Sequence, residues 1–319
     1  MICTQLAKIF NAVLTMTLLN PEISRIIATS RPAFLLLPPC SLSLALAYAI
    51  SQGIGINSLH LLLIFLSALA AHISVNMFNE YEDFKSGLDF HTLRTPFSGG
   101  SGILPANPEL AESVRIGALA FMLITVLTGL YLLWVSGWGL FPVGFLGIAL
   151  IYFYTQTITH WPYICLLAPG LAFGPLMICG AYFVLSGHYS VAVTLSSLIV
   201  FFLVNNLLLL NQFPDREADQ NAGRCHLPIL IGRKKSARVY AGFFVAAYAL
   251  LFLCVYLGFL PVYSLLGLLS LALAIPAARI SLQYADDMER LKPALALNVA
   301  VTLSTPVLIA AGIIWQHIL

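Results

Sequence analysis

Two short stretches of the sequence carry carboxylate and amide side chains at helical spacing. They are Asn76, Asn79 (or Glu80) and Asp83 in the first stretch, and Asn211, Asp215 and Asp219 in the second. Residues three or four positions apart share one face of an α-helix. Each stretch therefore predicts a row of oxygen ligands along a helix, at the point where an apolar segment ends.

The chemistry that such rows could perform involves a hard cation. Mg²⁺ in particular is bound by one or two carboxylates together with the phosphate oxygens of a substrate. Basic residues follow both stretches and could hold the remaining phosphate charge. They are Lys85 and Arg94 after the first stretch, and Arg224, Arg233, Lys234 and Lys235 after the second. The pattern predicts a diphosphate bridged by Mg²⁺, although Arg233 to Lys235 serve equally well as an orientation and lipid-headgroup signal.

A single stretch of this kind also occurs where a helix simply ends in polar solvent. Two stretches that share an Asn-x3-Asp pattern, about 130 residues apart, argue against two unrelated helix ends. Asn205 and Asn206 lie deeper in the second apolar segment. Because polar side chains inside a membrane helix are costly unless paired, these asparagines are functional candidates as well.

The composition tells which class of protein positions these residues. Hydrophobic residues make up 60% of the 319 and charged residues 9%, against roughly 25% charged in soluble domains. The mean hydropathy is +0.93. These values exclude a soluble enzyme, a nucleic-acid-binding protein and a disordered chain. Six scattered cysteines suggest neither a disulfide framework nor a zinc site.

The apolar segments predict an all-α, polytopic membrane protein, since a bilayer core needs about 20 apolar residues per helix. We expect nine transmembrane helices around a central cavity, in a single domain over residues 1–319, with 1–32 as an N-terminal interfacial segment. The expected spans are 33–52, 58–78, 114–135, 139–156, 164–186, 190–211, 238–258, 260–279 and 294–316.

The charged residues divide the connections between these spans into two classes. With nine spans, all 28 charges fall on one membrane face or at the helix ends that border it. The positive-inside rule predicts that this face is cytoplasmic, in a prokaryotic inner membrane, with the N-terminal segment on the same side. The rule does not explain why the acidic residues collect there too, and a bound divalent cation would.

In both stretches the chain resembles the UbiA superfamily of intramembrane prenyltransferases, and the similarity runs through most of its length. Asn79-x3-Asp83 with Asp89 resembles the first aspartate-rich motif of that family, and Asn211-x3-Asp215-x3-Asp219 with Gly223-Arg224 resembles the second. Ser30-Arg31-Pro32 and the glycine-containing stretch 170–176 are also similar to family patterns. The spacing to Asp89 and the run 95–104 are closest to the branch of 1,4-dihydroxy-2-naphthoate polyprenyltransferases, which act in menaquinone (quinone) biosynthesis.

The resemblance implies a Mg²⁺-dependent transfer of an isoprenyl group from a polyprenyl diphosphate to an aromatic acceptor at a cytoplasm-facing site, with the prenyl chain in a lipid-open tunnel. It implies catalytic roles for Asp83, Asp215 and Asp219. The implied metal-site residues are Asn79, Asp83, Asp215 and Asp219, and the implied diphosphate-binding residues are Asn76, Lys85, Asp89, Arg94, Asn211 and Arg224. The partners so implied are the two small-molecule substrates and the lipid bilayer.

The acceptor stays open at this point. The stretch 155–169 has no charged residue where related enzymes usually have basic ones, and His226 stands where a threonine is common. Tyr154 and His160 are candidates for orienting the acceptor, as is Tyr163. Two alternatives remain: a terpene cyclase of the same superfamily, which would use the same diphosphate apparatus without an acceptor, and a cation-coupled transporter, whose ion sites would lie nearer the membrane midplane.

Overall fold

The computed structural model describes residues 21–92, 94–95 and 98–319, and the part of the chain it describes is helical with short connections. Most of the predicted N-terminal interfacial segment lies outside the described residues. The helices are α1 (Pro21–Ala28), α2 (Leu37–Ser51), α3 (Ser58–Lys85), α4 (Ile103–Ala106), α5 (Ala111–Ser136), α6 (Phe141–Phe153), α7 (Pro162–Ser186), α8 (Val191–Asn221), α9 (Leu227–Ile231), α10 (Arg233–Tyr256), α11 (Val262–Gln283) and α12 (Met288–Ile318).

Eight of these helices, among the described residues, are long and apolar enough to cross a membrane. The fold class is therefore confirmed: the protein is an all-α, multi-pass integral membrane protein. The fourth expected span is the exception, because Trp138–Phe153 forms a shorter apolar helix. At about 1.5 Å per residue its 13-residue helix and three-residue leading turn reach roughly 24 Å, less than the roughly 30 Å of a bilayer core.

The helix α8 lies at the centre of the bundle. It packs against α7, α10 and α12, while α3 packs along α5, and α12 also contacts α2 and α11. The buried side chains along α8 come from all sides of the helix, as expected for a helix surrounded by others. The second aspartate-rich stretch is thus carried by the most enclosed helix of the fold.

Both functional stretches are helical beyond the ends expected for their spans. Helix α3 continues to Lys85 rather than ending near residue 78, and α8 continues to Asn221 rather than 211, even though Pro214 lies inside it. The oxygen-bearing side chains therefore project from regular helices, as their spacing predicts.

Helix α7 is irregular where it packs against α2 and α8. Residues Ala172–Cys179 form wider, π-helical turns, and Pro169 and Pro175 lie within the helix. Proline lacks an N–H and its ring displaces the carbonyl one turn earlier, which explains the local widening. The widened turns place Phe173 and Met177 on the wall of an internal cavity.

The buried asparagines Asn205 and Asn206 of α8 form hydrogen bonds that connect α8 to neighbouring helices. The Oδ1 of Asn205 accepts a hydrogen bond from the Gly170 N–H of α7 at 2.6 Å. The Nδ2 of Asn206 donates to the Tyr240 carbonyl of α10 at 2.9 Å, and Asn298 of α12 donates to the Asn206 carbonyl at 3.0 Å. Each of these hydrogen bonds joins two helices, while Asn205 Nδ2, Asn206 Oδ1 and Asn298 Oδ1 are buried without a partner.

Candidate active site

The two aspartate-rich stretches line one small polar cavity of about 110 Å³. Seven residues predicted from the sequence line it: Asn79, Asp83, Tyr154, Asn211, Asp215, Asp219 and Arg224. Asn79 and Asp83 lie on α3, and Asn211, Asp215 and Asp219 lie on α8. Stretches about 130 residues apart in the sequence thus form a single site.

Arg224 links the two stretches directly. It follows Gly223, whose φ of +81° turns the chain back after α8. The guanidinium donates to Asp219 Oδ1 at 2.9 Å and forms a second, short ion pair with Asp83 of α3. Burial lowers the pKa of Arg224, but the two aspartates raise it by more, so this pKa lies above its ordinary value and the guanidinium stays charged.

His226 shares Asp219 with Arg224. The His226 Nε2 lies 2.9 Å from Asp219 Oδ2, the residue is 2% exposed, and it lines the same cavity. Because both Asp219 oxygens are engaged, this carboxylate is fixed in orientation. The sequence had marked position 226 only as a departure from the family pattern.

Arg31 is a second guanidinium of the site that the sequence reasoning did not assign to it. Its Nε donates to Glu80 and one of its terminal nitrogens to Asn79, both at 2.9 Å. The residue has a φ of 54°, in the left-handed region that non-glycine residues rarely adopt. The only available signal was the resemblance of residues 30–32 to a family pattern.

Glu80 anchors a glycine-rich loop over the site. It is fully buried, and it accepts hydrogen bonds from the Ser101 N–H at 2.7 Å and the Ser101 hydroxyl at 2.5 Å. The loop passes so close that a Cβ on Gly100 would lie 2.9 Å from Asp89 Oδ1. A side chain at that position would displace the carboxylate, so glycine is needed there for close approach as well as for its φ of +71°.

Asp89 lies beside the cavity rather than on its wall. Both carboxylate oxygens are buried without a hydrogen-bond partner. Burial, followed by the charges of Asp83 and Glu80, raises the pKa of Asp89 to about 7. Arg94 donates to the backbone carbonyl of Asp89 at 3.0 Å, so its guanidinium fixes the turn rather than the carboxylate.

Several oxygens on the cavity wall lack a donor. They are Asn211 Oδ1, Gln212 Oε1 and Asp215 Oδ1. A buried acceptor without a partner is costly unless a donor or a cation completes it. Among the described residues no three His, Cys, Asp or Glu side chains are close enough to form a metal site by themselves. Any cation here would need amide oxygens or substrate oxygens as additional ligands.

A larger, apolar cavity of about 520 Å³ adjoins the polar one. Four residues line both: Arg31, Asn79, Tyr154 and Leu208. The larger cavity extends between α3, α5, α6 and α7, where Leu130, Phe141 and Phe145 are exposed on the outer surface of the protein. The combined space is polar at one end and apolar at the other, which suits an amphiphilic molecule.

Four of the residues predicted from the sequence lie elsewhere. Asn76 lines only the apolar cavity, and its Nδ2 donates to the Ser30 carbonyl at 2.9 Å. Lys85 is exposed at the end of α3, with its Nζ 5.6 Å from the centre of the Tyr81 ring. His160 is exposed and lines neither cavity. Tyr163 is 65% exposed as well.

The uncharged stretch after α6 is nevertheless tied to both motifs. Gln156 donates to Glu82 of α3 at 2.9 Å. The Cys225 N–H, next to Arg224, donates to the Thr159 carbonyl at 3.0 Å. Thr159 itself lines the polar cavity. This stretch therefore closes one side of the site with backbone and neutral groups.

The sequence pattern described as the UbiA prenyltransferase family matches residues 36–300. A 1,4-dihydroxy-2-naphthoate octaprenyltransferase of Bacillus subtilis (strain 168) is 30% identical over 198 residues, which are 61% of this chain and 62% of that protein. The UbiA prenyltransferase domain-containing protein 1 of Rattus norvegicus is 30% identical over 214 residues, 64% of this chain and 59% of that protein. The chain spans about three fifths of the length of these two relatives.

Solved structures share the fold at lower identity. An apo UbiA homolog from Aeropyrum pernix K1 superposes with a TM-score of 0.65 at 18% identity, over 87% of this chain and 97% of that one. A UbiA homolog from Archaeoglobus fulgidus bound to GPP and Mg²⁺ has a TM-score of 0.59 at 14% identity, over 90% and 99%. A digeranylgeranylglyceryl phosphate synthase gives 0.60 at 16% identity, over 93% and 100%.

Proposed function

The chain belongs to the UbiA prenyltransferase family, and from that premise we propose that it transfers an isoprenyl group from an allylic polyprenyl diphosphate to an aromatic acceptor in a Mg²⁺-dependent reaction. The observation that carries this proposal is the junction of the two cavities. Carboxylates and guanidinium groups converge at the polar end, and the apolar end is large enough for a prenyl chain.

The residues at the polar end fit a divalent cation. Asn79, Asp83, Asp215 and Asp219 would hold Mg²⁺, and Asn211 would assist with its unpartnered Oδ1. Mg²⁺ takes only one or two carboxylates when phosphate oxygens complete its shell, so the three aspartates need not bind a single ion together. When bound, the ion would stabilise the charge that develops on the departing diphosphate. The UbiA homolog from Archaeoglobus fulgidus that binds GPP and Mg²⁺ supports a divalent cation as a ligand of this site.

The balance of charge also favours a cation. Five carboxylates lie in or next to the polar cavity, namely Glu80, Asp83, Asp89, Asp215 and Asp219. Three guanidinium groups accompany them, from Arg31, Arg94 and Arg224. Five against three leaves a formal excess of two negative charges, which a divalent cation would neutralise. Without it, buried carboxylates of like charge repel one another.

The reaction that we propose begins with cleavage of the allylic C–O bond, whose electron pair leaves with the diphosphate. Arg224 and Arg31 are fixed by carboxylates in a buried site, so their charges are in place before the leaving group develops its own. The apolar cavity keeps water away from the allylic cation, which water would otherwise trap. An electron-rich ring carbon then attacks the cation, and the ring regains aromaticity by losing a proton or, from a carboxylated position, CO₂.

The acceptor that we propose is 1,4-dihydroxy-2-naphthoate, in menaquinone biosynthesis. The Bacillus subtilis relative of that name supports this choice, as does the resemblance of the spacing to Asp89 and of residues 95–104 to the same branch of the family. Tyr154 lines both cavities at their junction, where an acceptor must meet the reacting end of the donor. His160 is exposed and lines neither cavity, so it contributes nothing to this proposal. We further propose a prokaryotic inner membrane with the charged face in the cytoplasm, because the basic residues collect there.

One alternative retains a specific observation in its favour. A terpene cyclase of this family would need no charged acceptor site, and the stretch 155–161 closes the cavity with neutral groups. The family match weighs against a cation-coupled transporter.

Purified protein would be incubated with Mg²⁺, a panel of prenyl diphosphates and several hydroxylated aromatic acids, and the products identified by mass. We expect a prenylated aromatic product that requires both substrates and disappears on chelation of the metal. A terpene formed from the donor alone would support the cyclase instead. Diphosphate release without any organic coupling product would overturn the transferase proposal.

A further inference from the structure

His72 is a polar residue in the middle of a membrane-spanning helix that none of the steps above uses. It lies on α3, four residues before Asn76 and seven before Asn79, so it continues the polar face that leads to Asp83. Its side chain is 7% exposed and lines the apolar cavity. The ring Nδ1 is buried and has no hydrogen-bond partner.

Neither the metal nor the prenyl chain explains this residue. At about 1.5 Å per residue, the 11 residues between His72 and Asp83 separate them by roughly 16 Å along the helix, too far for one ion and its ligands. Within the described part of the chain His72 forms no hydrogen bond through either ring nitrogen. Nδ1 is enclosed by the protein, and a prenyl chain, which has no polar atom, would leave the accessible Nε2 unpaired as well. A ligand with its own hydrogen-bonding group would offset that cost.

The surroundings of His72 favour an aromatic ligand. Its ring meets Phe173 edge to face, with centroids 4.8 Å apart and an interplanar angle of 75°. Phe173 comes from the widened turns of α7 and lines the same cavity. Local π-helical turns are frequent at functional sites. The two rings present a π surface beside a hydrogen-bonding nitrogen, a combination that matches a hydroxylated aromatic ring.

We propose that His72 is a positioning residue for the acceptor: its imidazole hydrogen-bonds a hydroxyl of the aromatic acceptor, whose ring packs against Phe173 inside the apolar cavity. This inference rests on the proposed transferase function and adds the acceptor's subsite to it. A neutral imidazole carries one donor and one acceptor, so it can pair with a phenolic hydroxyl in either direction.

The test compares three variants with the wild-type protein: His72→Phe, His72→Gln and Thr128→Val. His72→Phe keeps an aromatic ring and removes the hydrogen bond, whereas His72→Gln restores a polar group. Thr128→Val is the control, because Thr128 lies on α5 outside the lining of both cavities and its hydroxyl donates to the Ile124 carbonyl at 2.7 Å. The substrates are dihydroxynaphthoate, its two monomethyl ethers and a prenyl diphosphate, and equilibrium binding of the acceptor is measured alongside turnover.

In His72→Phe we expect KM and Kd for the acceptor to rise about tenfold, the usual cost of one hydrogen bond. The KM for the prenyl diphosphate should stay within about twofold, His72→Gln should recover part of the loss, and Thr128→Val should match the wild type. The variant should also lose the wild type's discrimination against one methyl ether.

Unchanged acceptor KM and Kd in His72→Phe would overturn the inference and leave the transferase function intact. An equal rise in KM for donor and acceptor would also overturn it, since that result indicates a general distortion of the cavity. If the wild-type protein neither binds nor converts any hydroxylated aromatic acid, the proposed function and this inference both fail.

Discussion

Arg224 and Asp83 form an ion pair across 141 positions of sequence. Asp83 ends the polar face of α3, and Arg224 stands just beyond the end of α8, where it also binds Asp219. This contact joins the two aspartate-rich stretches, and it fixes a positive charge beside the cavity that both of them line. The same guanidinium therefore holds two elements together and serves the site.

Replacing Arg224 by Gln should damage stability and activity together. The change leaves Asp83 and Asp219 buried without their shared cation, and removing one partner of a buried pair costs about 3 to 5 kcal/mol. We expect a lower melting temperature in detergent and, because a fixed positive charge is lost beside the leaving group, a fall in kcat of about 100-fold or more.

Arg115→Gln is the control for that substitution. Arg115 pairs with Glu112 at 3.3 Å, but both side chains are largely exposed. Exposed pairs of this kind contribute about 0 to 1 kcal/mol, so melting temperature and turnover should match the wild type. A fully active Arg224→Gln protein would contradict the role given to this residue.

Asp215 offers a cleaner test of the metal site than Asp83. Its Oδ1 has no partner in the protein, whereas Asp83 is paired with Arg224. Asp215→Asn should therefore leave the fold intact while removing one charge from the cation's ligands. We expect turnover to fall at least about 100-fold at saturating prenyl diphosphate, with a higher Mg²⁺ concentration needed for half-maximal rate.

Asp286→Asn is the control. It removes the same charge from an exposed pair with Lys234 at 3.5 Å, and it should change neither turnover nor the Mg²⁺ concentration needed for half-maximal rate. Circular dichroism and melting curves of the wild type, Asp215→Asn and Asp286→Asn separate misfolding from loss of the metal. Full activity of Asp215→Asn at low Mg²⁺ would contradict the assignment of Asp215 to the cation.

The helices and the two stretches could be predicted from the sequence because they depend on local periodicity. Nine apolar segments correspond one to one with helices of the described residues, although Trp138–Phe153 is short. Spacing by three and four places Asn79 and Asp83 on one face whatever surrounds the helix. Hydropathy alone ends the two spans too early, near residues 78 and 211, whereas the helical spacing of the polar residues predicts that both helices continue through them.

The partners of the charged residues could not be predicted in the same way. Arg31 reaches Glu80 across 49 positions, and Glu80 reaches Ser101 across 21. Such pairings depend on how helices and loops come together rather than on local pattern. The location of Lys85 could not be predicted from its proximity in sequence either: it follows the first stretch, and its Nζ lies 5.6 Å from the centre of the Tyr81 ring at the surface.

Gly170→Ala should separate helix packing from chemistry. A Cβ at position 170 would overlap the Asn205 amide oxygen and the Phe201 carbonyl, which approach closely where α7 meets α8. The substitution should displace Asn205 from its hydrogen bond with the Gly170 N–H and cost about 1 to 3 kcal/mol. Gly147→Ala is the control, because Gly147 also lines the apolar cavity but a Cβ there meets no atom within 4 Å. A melting temperature for Gly170→Ala equal to that of the control would show that the contact between α7 and α8 at position 170 tolerates an added methyl group.

Asp89 should make stability depend on pH in the absence of metal and substrate. Its pKa in the folded protein is raised to about 7 by burial and by the charges of Asp83 and Glu80, whereas an unfolded aspartate titrates near about 3.9. At pH values between these two pKa values, Asp89 binds a proton in the folded protein but not in the unfolded chain. The free energy of unfolding therefore falls as pH rises from about 4 to about 7. Asp89→Asn removes this titration.

The Asp89→Asn protein should therefore melt at a higher temperature than the wild type at pH 8, and the difference should shrink towards zero near pH 4. Melting curves across this range, with a chelator present, give the measurement. Asp287→Asn, at a largely exposed helix end, should show no growing advantage between pH 4 and 8. A melting temperature of Asp89→Asn below that of the wild type at pH 8 would contradict this prediction. It would mean that the protein stabilises the charged carboxylate, and that an ion or water, rather than a proton, satisfies the unpartnered oxygens of Asp89.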